Sequence, residues 1–233
     1  MSDTVTYRLE KNIATITMDD GKANVLSTSM IEQINNAFNQ AESDGAIVVF
    51  TGREGIFSGG FNLKEMQASQ QHAMALTSKG SKLARRILSF PTPVIALSTG
   101  HTIAMGAFLM LACDYRMVAQ GDFKIGLNET LIGMTMHNFG IELARYRLAK
   151  NYFNRCVINA EIFNPKDAID AGFFDRTVPS EQIAGAGVMA AKMFSELDKT
   201  AFRNTKLRSR HAIFDILDKA ISDDLDPEKI HAV

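Results

Sequence analysis

The sequence is short of several residue types on which whole classes of protein depend. It has no tryptophan, five prolines and two cysteines in 233 residues. Two cysteines are too few for a disulfide framework, so we expect free thiols and a cytoplasmic location. Residues 1–10 hold no apolar stretch of the kind found in signal peptides, and the longest apolar run, residues 103–113, is too short to span a bilayer. We therefore expect no membrane partner.

An excess of charge of one sign is also missing. The chain has 25 Lys and Arg against 26 Asp and Glu, which gives a net charge of −1. A general nucleic-acid binder carries a basic excess, so this balance predicts no nucleic-acid partner. The dinucleotide, P-loop, zinc-protease and Cys-x-x-Cys motifs are absent, and the five histidines are scattered along the chain. This pattern predicts no metal site and no cofactor.

The regular patterns indicate an α/β protein. Alternation and short apolar runs predict strands, which are residues 5–10, 13–18, 46–50, 94–97 and 115–119. Helical spacing predicts helices, which are residues 30–41, 70–88 and most of the chain after Pro179. Ser29 and Glu32 have the spacing of a capping box for the first helix. Strands that alternate with helices pair in parallel. The length suits one large domain with a helical appendage, and two domains are also allowed.

Two glycine-containing loops follow predicted buried strands. Residues 57–63 contain the pair Gly59 and Gly60, which allows the backbone to approach a ligand closely. Residues 99–108 lead into an apolar segment that predicts a buried helix, whose first N–H groups favour developing negative charge. Together the loops suggest a two-donor oxyanion hole. For each loop alone, an ordinary packing turn is the commoner structure.

These segments resemble the crotonase (enoyl-CoA hydratase/isomerase) superfamily. The resemblance rests on FSGGFNLKEM at 57–66 and STGHTIAMGAFLMLACDYR at 98–116, with further matches at 22–27, 125–130 and 164–172. It covers roughly residues 5–195. It implies an α/β crotonase-like spiral of ββα units, with residues 1–195 as the core for acyl-CoA binding and catalysis. Residues 196–233 are then a shortened helical region for oligomerisation and for covering CoA.

The resemblance also implies roles for individual residues. The backbone N–H groups of Phe61 and Met105 correspond to the oxyanion hole that binds the thioester oxygen of an acyl-CoA. The positions that correspond to substrate and CoA contacts are Lys22, Ala23, Asn24, Gly59, Gly60, Asn62, Leu63, Lys64, Gly106, Phe108, Met134 and His137. Relatives form trimers, often paired into hexamers, so a homotrimer or hexamer is implied. CoA enters as part of the substrate, with no separate cofactor.

One glutamate indicates which reaction is favoured. Hydratases of this family use two glutamates, and the position of the first is Phe108 here, which cannot transfer a proton. The second is present as Glu129. The segments 113–116 and 126–130 are most similar to the mitochondrial-type Δ3,Δ2-enoyl-CoA isomerases, which work with that single glutamate. Without the resemblance, Glu129 is interpreted as a surface residue, because glutamate is rarely buried.

Several alternatives stay open from the sequence. A hydratase of altered mechanism, a thioesterase or a decarboxylase uses the same enolate chemistry, and a non-catalytic CoA-binding or RNA-binding relative is a third class. His137 is either a second acid/base or a polar loop residue. Met105 and Ala104 stand where glycine is usual, and with the bulky Phe61 they indicate a tight acyl site. An apolar surround such as Phe108, Met134 and Met136 is expected to raise the pKa of Glu129.

Two features near the C-terminus also have two interpretations each. A basic stripe (Lys199, Arg203, Lys206 and Arg210) recurs at helical spacing. It either reaches the CoA phosphates or faces solvent. The apolar face at residues 213–221 either forms an oligomer contact or packs on the core of its own chain.

Overall fold

The computed structural model describes residues 3–226, which form two β-sheets surrounded by helices. The strands are β1 (Val5–Glu10), β2 (Ile13–Met18), β3 (Ile47–Gly52), β4 (Gly55–Ser58), β5 (Val94–Ser98), β6 (Gly100–Ile103), β7 (Tyr115–Ala119), β8 (Ile125–Gly126) and β9 (Arg176–Val178). The α-helices are α1 (Thr28–Ser43), α2 (Leu63–Met66), α3 (Gln70–Leu88), α4 (Met105–Ala112), α5 (Asn138–Arg147), α6 (Phe153–Val157), α7 (Asp167–Asp170), α8 (Ile183–Ser195) and α9 (Lys199–Asp223). Short 3-10 helices cover Thr130–Ile132 and Ser180–Gln182.

The larger sheet has six strands in the order β1-β2-β3-β5-β7-β9. Strands β1 and β2 form an antiparallel hairpin, and its turn residues Lys11 and Asn12 both have positive φ. The other neighbouring strands pair in parallel. The structure therefore confirms the predicted hairpin, the predicted parallel pairing and the three predicted buried strands.

A repeated unit builds the rest of the fold. Each of the strands β3, β5 and β7 is followed by a short strand, β4, β6 and β8 respectively, and then by helical structure. The long strands pair with one another in the larger sheet, and the short strands form a second sheet in the order β4-β6-β8. Both sets are parallel, so the chain advances by one strand in each sheet at every turn. This is the expected spiral of ββα units.

Two local expectations were wrong. The short strands were not predicted: β4 ends inside the segment 57–63, and β6 lies inside the segment 99–108, so neither segment is the continuous loop that we expected. Strands β4 and β6 have four residues and β8 has two, which is too short for periodicity to show.

The N-cap of α1 is Ser27, and not Ser29 as the sequence predicted: the side chain of Ser27 accepts a hydrogen bond from the N–H of Met30. Ser29 is instead in the first turn of the helix, where its hydroxyl accepts from the side chain of Gln33.

Burial follows the predicted helical faces. Every residue of α4 is buried, as expected for the apolar segment. Helix α8 packs against β3, β5 and β7 on one face of the larger sheet. Helix α9 packs against α3 and α5, and its residues Ile213, Leu217 and Ile221 belong to the main core. The apolar face at 213–221 therefore packs on its own chain, which decides between the two interpretations.

The division into residues 1–195 and 196–233 stays a prediction, and residues 227–233 of the second part lie outside the described residues. Helix α9 shares the main core with α3, so the two parts are in close contact. Within residues 3–226, no helix combines the length and the apolar composition that crossing a bilayer requires.

Candidate functional site

Three loops meet at one edge of the smaller sheet. Residues 59–61 follow β4, residues 104–105 follow β6, and residues 127–129 follow β8. The three strands are parallel neighbours, with Ser58 opposite Thr102 and Ile103 opposite Gly126. The carboxyl ends of parallel strands are where open α/β sheets bind ligands. The fold thus places the predicted oxyanion-hole residues on adjacent loops, and Glu129 on the loop beside them.

The first two loops are in direct contact. Gly60 has a φ of +92°, and a Cβ atom added to it would lie 2.8 Å from the Cβ of Ala104 and 3.5 Å from the backbone nitrogen of Met105. A Cβ atom on Gly106 would lie 2.7 Å from that of Ser58. Because real Cβ atoms do not approach so closely, both glycines are required for the loops to pack.

The two expected donor groups are free of internal partners. Within residues 3–226, the backbone N–H groups of Phe61 and Met105 donate no hydrogen bond to the protein. The neighbours of Phe61 are held by Leu26, whose N–H donates to the carbonyl of Gly60 at 2.8 Å and whose carbonyl accepts from Asn62 at 3.2 Å. Met105 is the first residue of α4, where N–H groups have no intrahelical acceptor. Both groups are therefore available to an anionic oxygen.

The side chains of Phe61 and Met105 share a contact on α3. A Cβ atom on Gly80 would lie 2.6 Å from the ring of Phe61 and 3.3 Å from the Cε of Met105. Gly80 therefore makes the room that these large side chains need. Gly80 was not predicted as a site residue, although an isolated glycine inside a helical pattern is a signal of close packing.

The unusual backbone angles fall on Ala104 rather than Met105. Ala104 has φ of +52° and ψ of −126°, whereas Met105 is helical. Its N–H donates to the carbonyl of Gly126 at 2.9 Å, and its carbonyl accepts from the N–H groups of Ala107 and Phe108. A residue other than glycine with such φ and ψ angles destabilises the folded state by about 1–3 kcal/mol. Three hydrogen bonds hold the strained residue in place at the start of α4.

Glu129 is a buried carboxyl rather than a surface residue. Only 7% of it is exposed, and its Oε2 has no hydrogen-bond partner among the described residues. Burial raises its pKa to about 7, because the charged form loses its hydration. The direction expected from an apolar surround is confirmed. Met136 is buried and Met134 is half-buried, and the N–H of Met134 donates to the carbonyl of Glu129 at 2.9 Å.

Phe108 and His137 lie against each other. Phe108 is fully buried on α4, and the two ring centroids are 5.3 Å apart in an edge-on arrangement. The Nε2 of His137 is inaccessible to solvent and has no partner in the described part of the chain. Burial lowers the pKa of His137, and the nearby Asp224 opposes this shift. His137 is half-buried in the loop before α5, and the choice between a second acid/base and a polar loop residue stays a prediction.

The residues expected along CoA divide into two groups. Asn24 and Asn62 have structural side chains: the amide of Asn24 donates to the carbonyl of Met18, and the oxygen of Asn62 caps α2 by accepting from Lys64. The other group has side chains for which the described part of the chain provides no hydrogen-bond partner. Lys22, Leu63 and Lys64 are exposed, while Ala23 accepts from the N–H of Gly59 through its carbonyl. Their contact with CoA stays a prediction.

The basic stripe has a role that neither interpretation included. Lys206 Nζ lies 2.7 Å from Oδ2 of Asp114, and Arg210 lies 2.9 Å from its Oδ1. Lys206 and Arg210 are buried, and the side chain of Asp114 is 8% exposed, so the inner half of the stripe neither faces solvent nor reaches outward to phosphates. Arg203 is exposed, and Lys199 donates to the carbonyl of Gly45. Asp114 was missed as the anchor, because a lone aspartate carries no motif.

A separate cavity of about 660 Å³ lies between β7, β9 and α8. Its lining is mostly apolar, and the charged residues on it, Arg176 and Glu181, are exposed. None of the described residues that line it is a buried carboxyl. Perturbed carboxyls and converging donors mark catalytic sites, so the loops around Glu129 are the better candidate. Among residues 3–226, no group of His, Cys, Asp and Glu has the arrangement of a metal site.

Comparisons with known proteins show the family and the fold of the chain. Residues 8–226 match the family model described as "Enoyl-CoA hydratase/isomerase". The crystal structure of an enoyl-CoA hydratase/isomerase family protein from Pseudomonas syringae is 47% identical, covers 99% of this chain and 98% of its own, and superposes with a TM-score of 0.95. An apo enoyl-CoA isomerase structure from Mycobacterium tuberculosis is 37% identical, with coverage of 96% and 98% and a TM-score of 0.92.

The names of relatives divide between two reactions. A probable enoyl-CoA hydratase from Bacillus subtilis is 28% identical over 203 residues, which is 84% of this chain and 78% of that protein. The Mycobacterium tuberculosis protein is named an isomerase in one structure and a probable enoyl-CoA hydratase in another. The comparisons thus agree on the family and the fold, and the choice of reaction falls to the residues of the site.

Proposed function

Because the chain belongs to the enoyl-CoA hydratase/isomerase family, we propose that it is a Δ3,Δ2-enoyl-CoA isomerase of fatty-acid-type metabolism. The observation that carries this proposal is the buried carboxyl of Glu129, which stands without a second glutamate at position 108. Glu129 is present with a raised pKa, and a phenylalanine occupies position 108, where a hydratase has its other glutamate. A shift of one proton along the substrate needs one group that first accepts and then donates it.

The proposed reaction uses the three loops together. The thioester oxygen of a 3-enoyl-CoA binds the N–H groups of Phe61 and Met105. The Glu129 carboxylate takes a proton from C2, which leaves a dienolate with its negative charge on that oxygen. The Glu129 carboxylic acid then returns the same proton to C4, which gives a 2-enoyl-CoA. The reaction consumes no water and needs no second carboxyl. CoA is present only as part of the substrate.

The burial of Glu129 supports this role. A carboxylate whose pKa has its usual value is too weak a base to take a proton from carbon readily. A carboxylate whose pKa is near 7 is a stronger base and is still partly charged at neutral pH. Its Oε2 is buried without a hydrogen-bond partner among the described residues. In a buried site, two backbone donors stabilise the negative charge of the dienolate more strongly than they would in water. The start of α4 adds the favourable end of a helix dipole at the same point.

The decisive experiment compares two substrates and two variants. The purified protein is assayed with a 3-enoyl-CoA and a 2-enoyl-CoA side by side. We expect isomerisation of the first, which rises with pH and levels off above about 7, as deprotonation of Glu129 requires. Glu129→Gln should lose at least about 10³-fold in kcat and keep its affinity for acyl-CoA. Glu181→Gln, an exposed glutamate on the far cavity, is the matched control.

The second candidate is a hydratase of altered mechanism, favoured by the probable hydratase among the relatives. Hydration of the 2-enoyl-CoA in preference to isomerisation would establish it and would overturn the isomerase. A fully active Glu129→Gln would overturn the mechanism itself. We further propose a homotrimer or hexamer in the cytoplasm, with light scattering as the check on the assembly.

A further inference from the structure

Helix α5 begins without a cap of its own. Its N-cap residue is His137, whose side chain makes no capping hydrogen bond. The first N–H groups of an α-helix have no acceptor within the helix, and they need one when they are buried. Phe139 is fully buried in the first turn of α5, so its N–H cannot be satisfied by water. The acceptor has to come from another part of the chain.

Asp224 supplies this acceptor from the end of α9. It is the C-cap residue of that helix and is 5% exposed. Its Oδ1 accepts from the backbone N–H of Asn138 at 2.7 Å and from the side-chain amide of Asn138 at 2.9 Å, and its Oδ2 accepts from the N–H of Phe139 at 2.9 Å. A negative charge is also favoured at this end of a helix dipole. One buried carboxylate therefore joins the start of α5 to the end of α9.

The first turn of α5 also lies against α4. The ring centroids of His137 and Phe108 are 5.3 Å apart, and a Cβ atom on Gly140 would lie 2.8 Å from Cζ of Phe108. Phe108 follows Met105, whose N–H is one of the proposed oxyanion-hole donors, by one turn of α4. The start of α5 is therefore fixed on one side by α4 and on the other side by Asp224.

A short connection leads from this point back to Glu129. The carbonyl of Glu129 accepts from the N–H groups of Ile132 at 3.1 Å and Met134 at 2.9 Å, which closes a turn directly after the proposed base. Two residues separate Met134 from His137, and one of them, Met136, is buried. A connection this short and this well packed transmits a displacement of the start of α5 to the turn at Glu129.

We propose that Asp224 is a positioning residue for the reaction: by fixing the start of α5, it holds the turn that begins at Glu129 in its reactive position. This inference rests on the proposed function and adds a residue to it. Glu129 carries out both proton transfers, and Asp224 acts only through the hydrogen bonds that it accepts. Helix α9 thereby contributes to catalysis through its C-terminal end.

The test replaces Asp224 and a second capping aspartate with alanine. Asp198 is the matched control, because it is the exposed N-cap of α9 and accepts from the N–H of Ala201 at 2.7 Å, at the opposite end of the same helix. Asp224→Ala is expected to lower kcat for a 3-enoyl-CoA about 10²-fold with a much smaller change in KM, the scale for a displaced catalytic group. Asp198→Ala should keep kcat, although both variants lose a cap and unfold at a lower temperature.

The pH dependence of kcat distinguishes positioning from a general loss of stability. Burial raises the pKa of Glu129 to about 7, so a loosened turn that admits water brings this pKa back toward its usual value. We expect the pH profile of Asp224→Ala to move down by about half a pH unit or more, whereas that of Asp198→Ala stays in place. Asp224→Asn keeps one acceptor oxygen and should show smaller changes in the same direction. It replaces the alanine variant if that variant does not fold.

Two results overturn the proposal. One is a folded variant of Asp224 with an unchanged kcat and an unchanged pH profile. The other is an equal loss of kcat in Asp224→Ala and Asp198→Ala, because a loss of stability alone would then explain both.

Hydrogen–deuterium exchange separates this inference from the proposed function. It compares the amides of residues 129–134 in the unmodified protein and in both variants, without substrate. We expect these amides to exchange faster in Asp224→Ala and not in Asp198→Ala. That result in a protein without isomerase activity would overturn only the proposed function. Unchanged exchange at these amides in Asp224→Ala, in an active isomerase, would overturn only the role of Asp224.

Discussion

Gly60 and Ala104 pack so closely that a Cβ atom on Gly60 would lie 2.8 Å from the Cβ of Ala104. Both residues have positive φ, and each directly precedes one of the two proposed oxyanion-hole donors, Phe61 and Met105. The contact therefore sets how far apart the two N–H groups lie. An oxyanion hole depends on that spacing, because both donors must reach one oxygen.

Gly60→Ala is expected to reduce kcat at least about 10²-fold, the scale of losing one oxyanion-hole donor. The added Cβ meets Ala104 and the backbone of Met105, so it separates the loops. Gly21→Ala is the matched control, since Gly21 also has positive φ but has nothing within 4 Å of an added Cβ. Steady-state assays of both variants check this. Equal losses in the two would mean that backbone strain alone, and not the contact, is responsible.

Ala104→Gly is expected to raise the free energy of unfolding by about 1 kcal/mol. Glycine removes a strain of about 1–3 kcal/mol and adds chain entropy to the unfolded state, which offsets part of the gain. Ala107→Gly, three residues later inside α4, should instead lower the free energy of unfolding by about 1 kcal/mol or more. Urea denaturation measures both. A destabilised Ala104→Gly would show that the backbone at this position is not strained.

Glu129→Gln is expected to stabilise the protein above neutral pH. The carboxyl has its usual pKa near 4.5 when unfolded and about 7 when folded, so the folded state binds more protons between these values. Stability contributed by Glu129 is present below 4.5 and is lost as pH rises to about 7. The total loss is roughly 3 kcal/mol. Glutamine does not titrate and escapes this loss.

Denaturation at two pH values checks this expectation. The difference in unfolding free energy between Glu129→Gln and the unmodified protein should be larger at pH 8 than at pH 5 by about 2 kcal/mol or more. Glu181→Gln is exposed and should show no such change. The same difference at both pH values would mean that the Glu129 carboxyl is not raised by burial.

Lys206→Met is expected to destabilise the fold and to leave the salt dependence of acyl-CoA binding unchanged. Removing one partner of a buried ion pair costs about 3–5 kcal/mol, reduced here because Arg210 still pairs with Asp114. Arg203→Met removes an exposed cation of the same stripe and should change stability by less than about 0.5 kcal/mol. Thermal unfolding and titrations at two salt concentrations measure both effects. A weaker salt dependence in Lys206→Met would place this lysine at the CoA phosphates.

Much of the fold was predictable because apolar residues recur along the sequence with the period of a strand or of a helix. The hairpin at β1 and β2, the helix over residues 70–88 and the buried helix α4 are all visible as alternation, helical spacing or continuous apolarity. The strands β4, β6 and β8 were not predictable, because strands this short exist only through their pairing with one another. These same strands align the loops of the candidate site.

The sequence indicated which residues belong to the candidate site. It did not indicate what surrounds each of them in the fold. The order of motifs identified Glu129, Phe61 and Met105, because these positions carry recognisable neighbours in the sequence. It did not show that Glu129 is buried, that His137 is enclosed against Phe108, or that Gly80 makes room for two large side chains. Each of these facts depends on residues distant in the chain.

The sequence by itself determined the family and the α/β spiral, and it shows a glutamate at position 129 and a phenylalanine at position 108. Only the tertiary structure decided what surrounds each charged group. Lys206 and Arg210 form an ordinary basic stripe in the sequence, and they are buried because Asp114 lies under α9 in the folded chain. Periodicity tells which face of an element is covered, whereas burial, pKa and pairing depend on what covers it, and that is set by contacts across the whole fold.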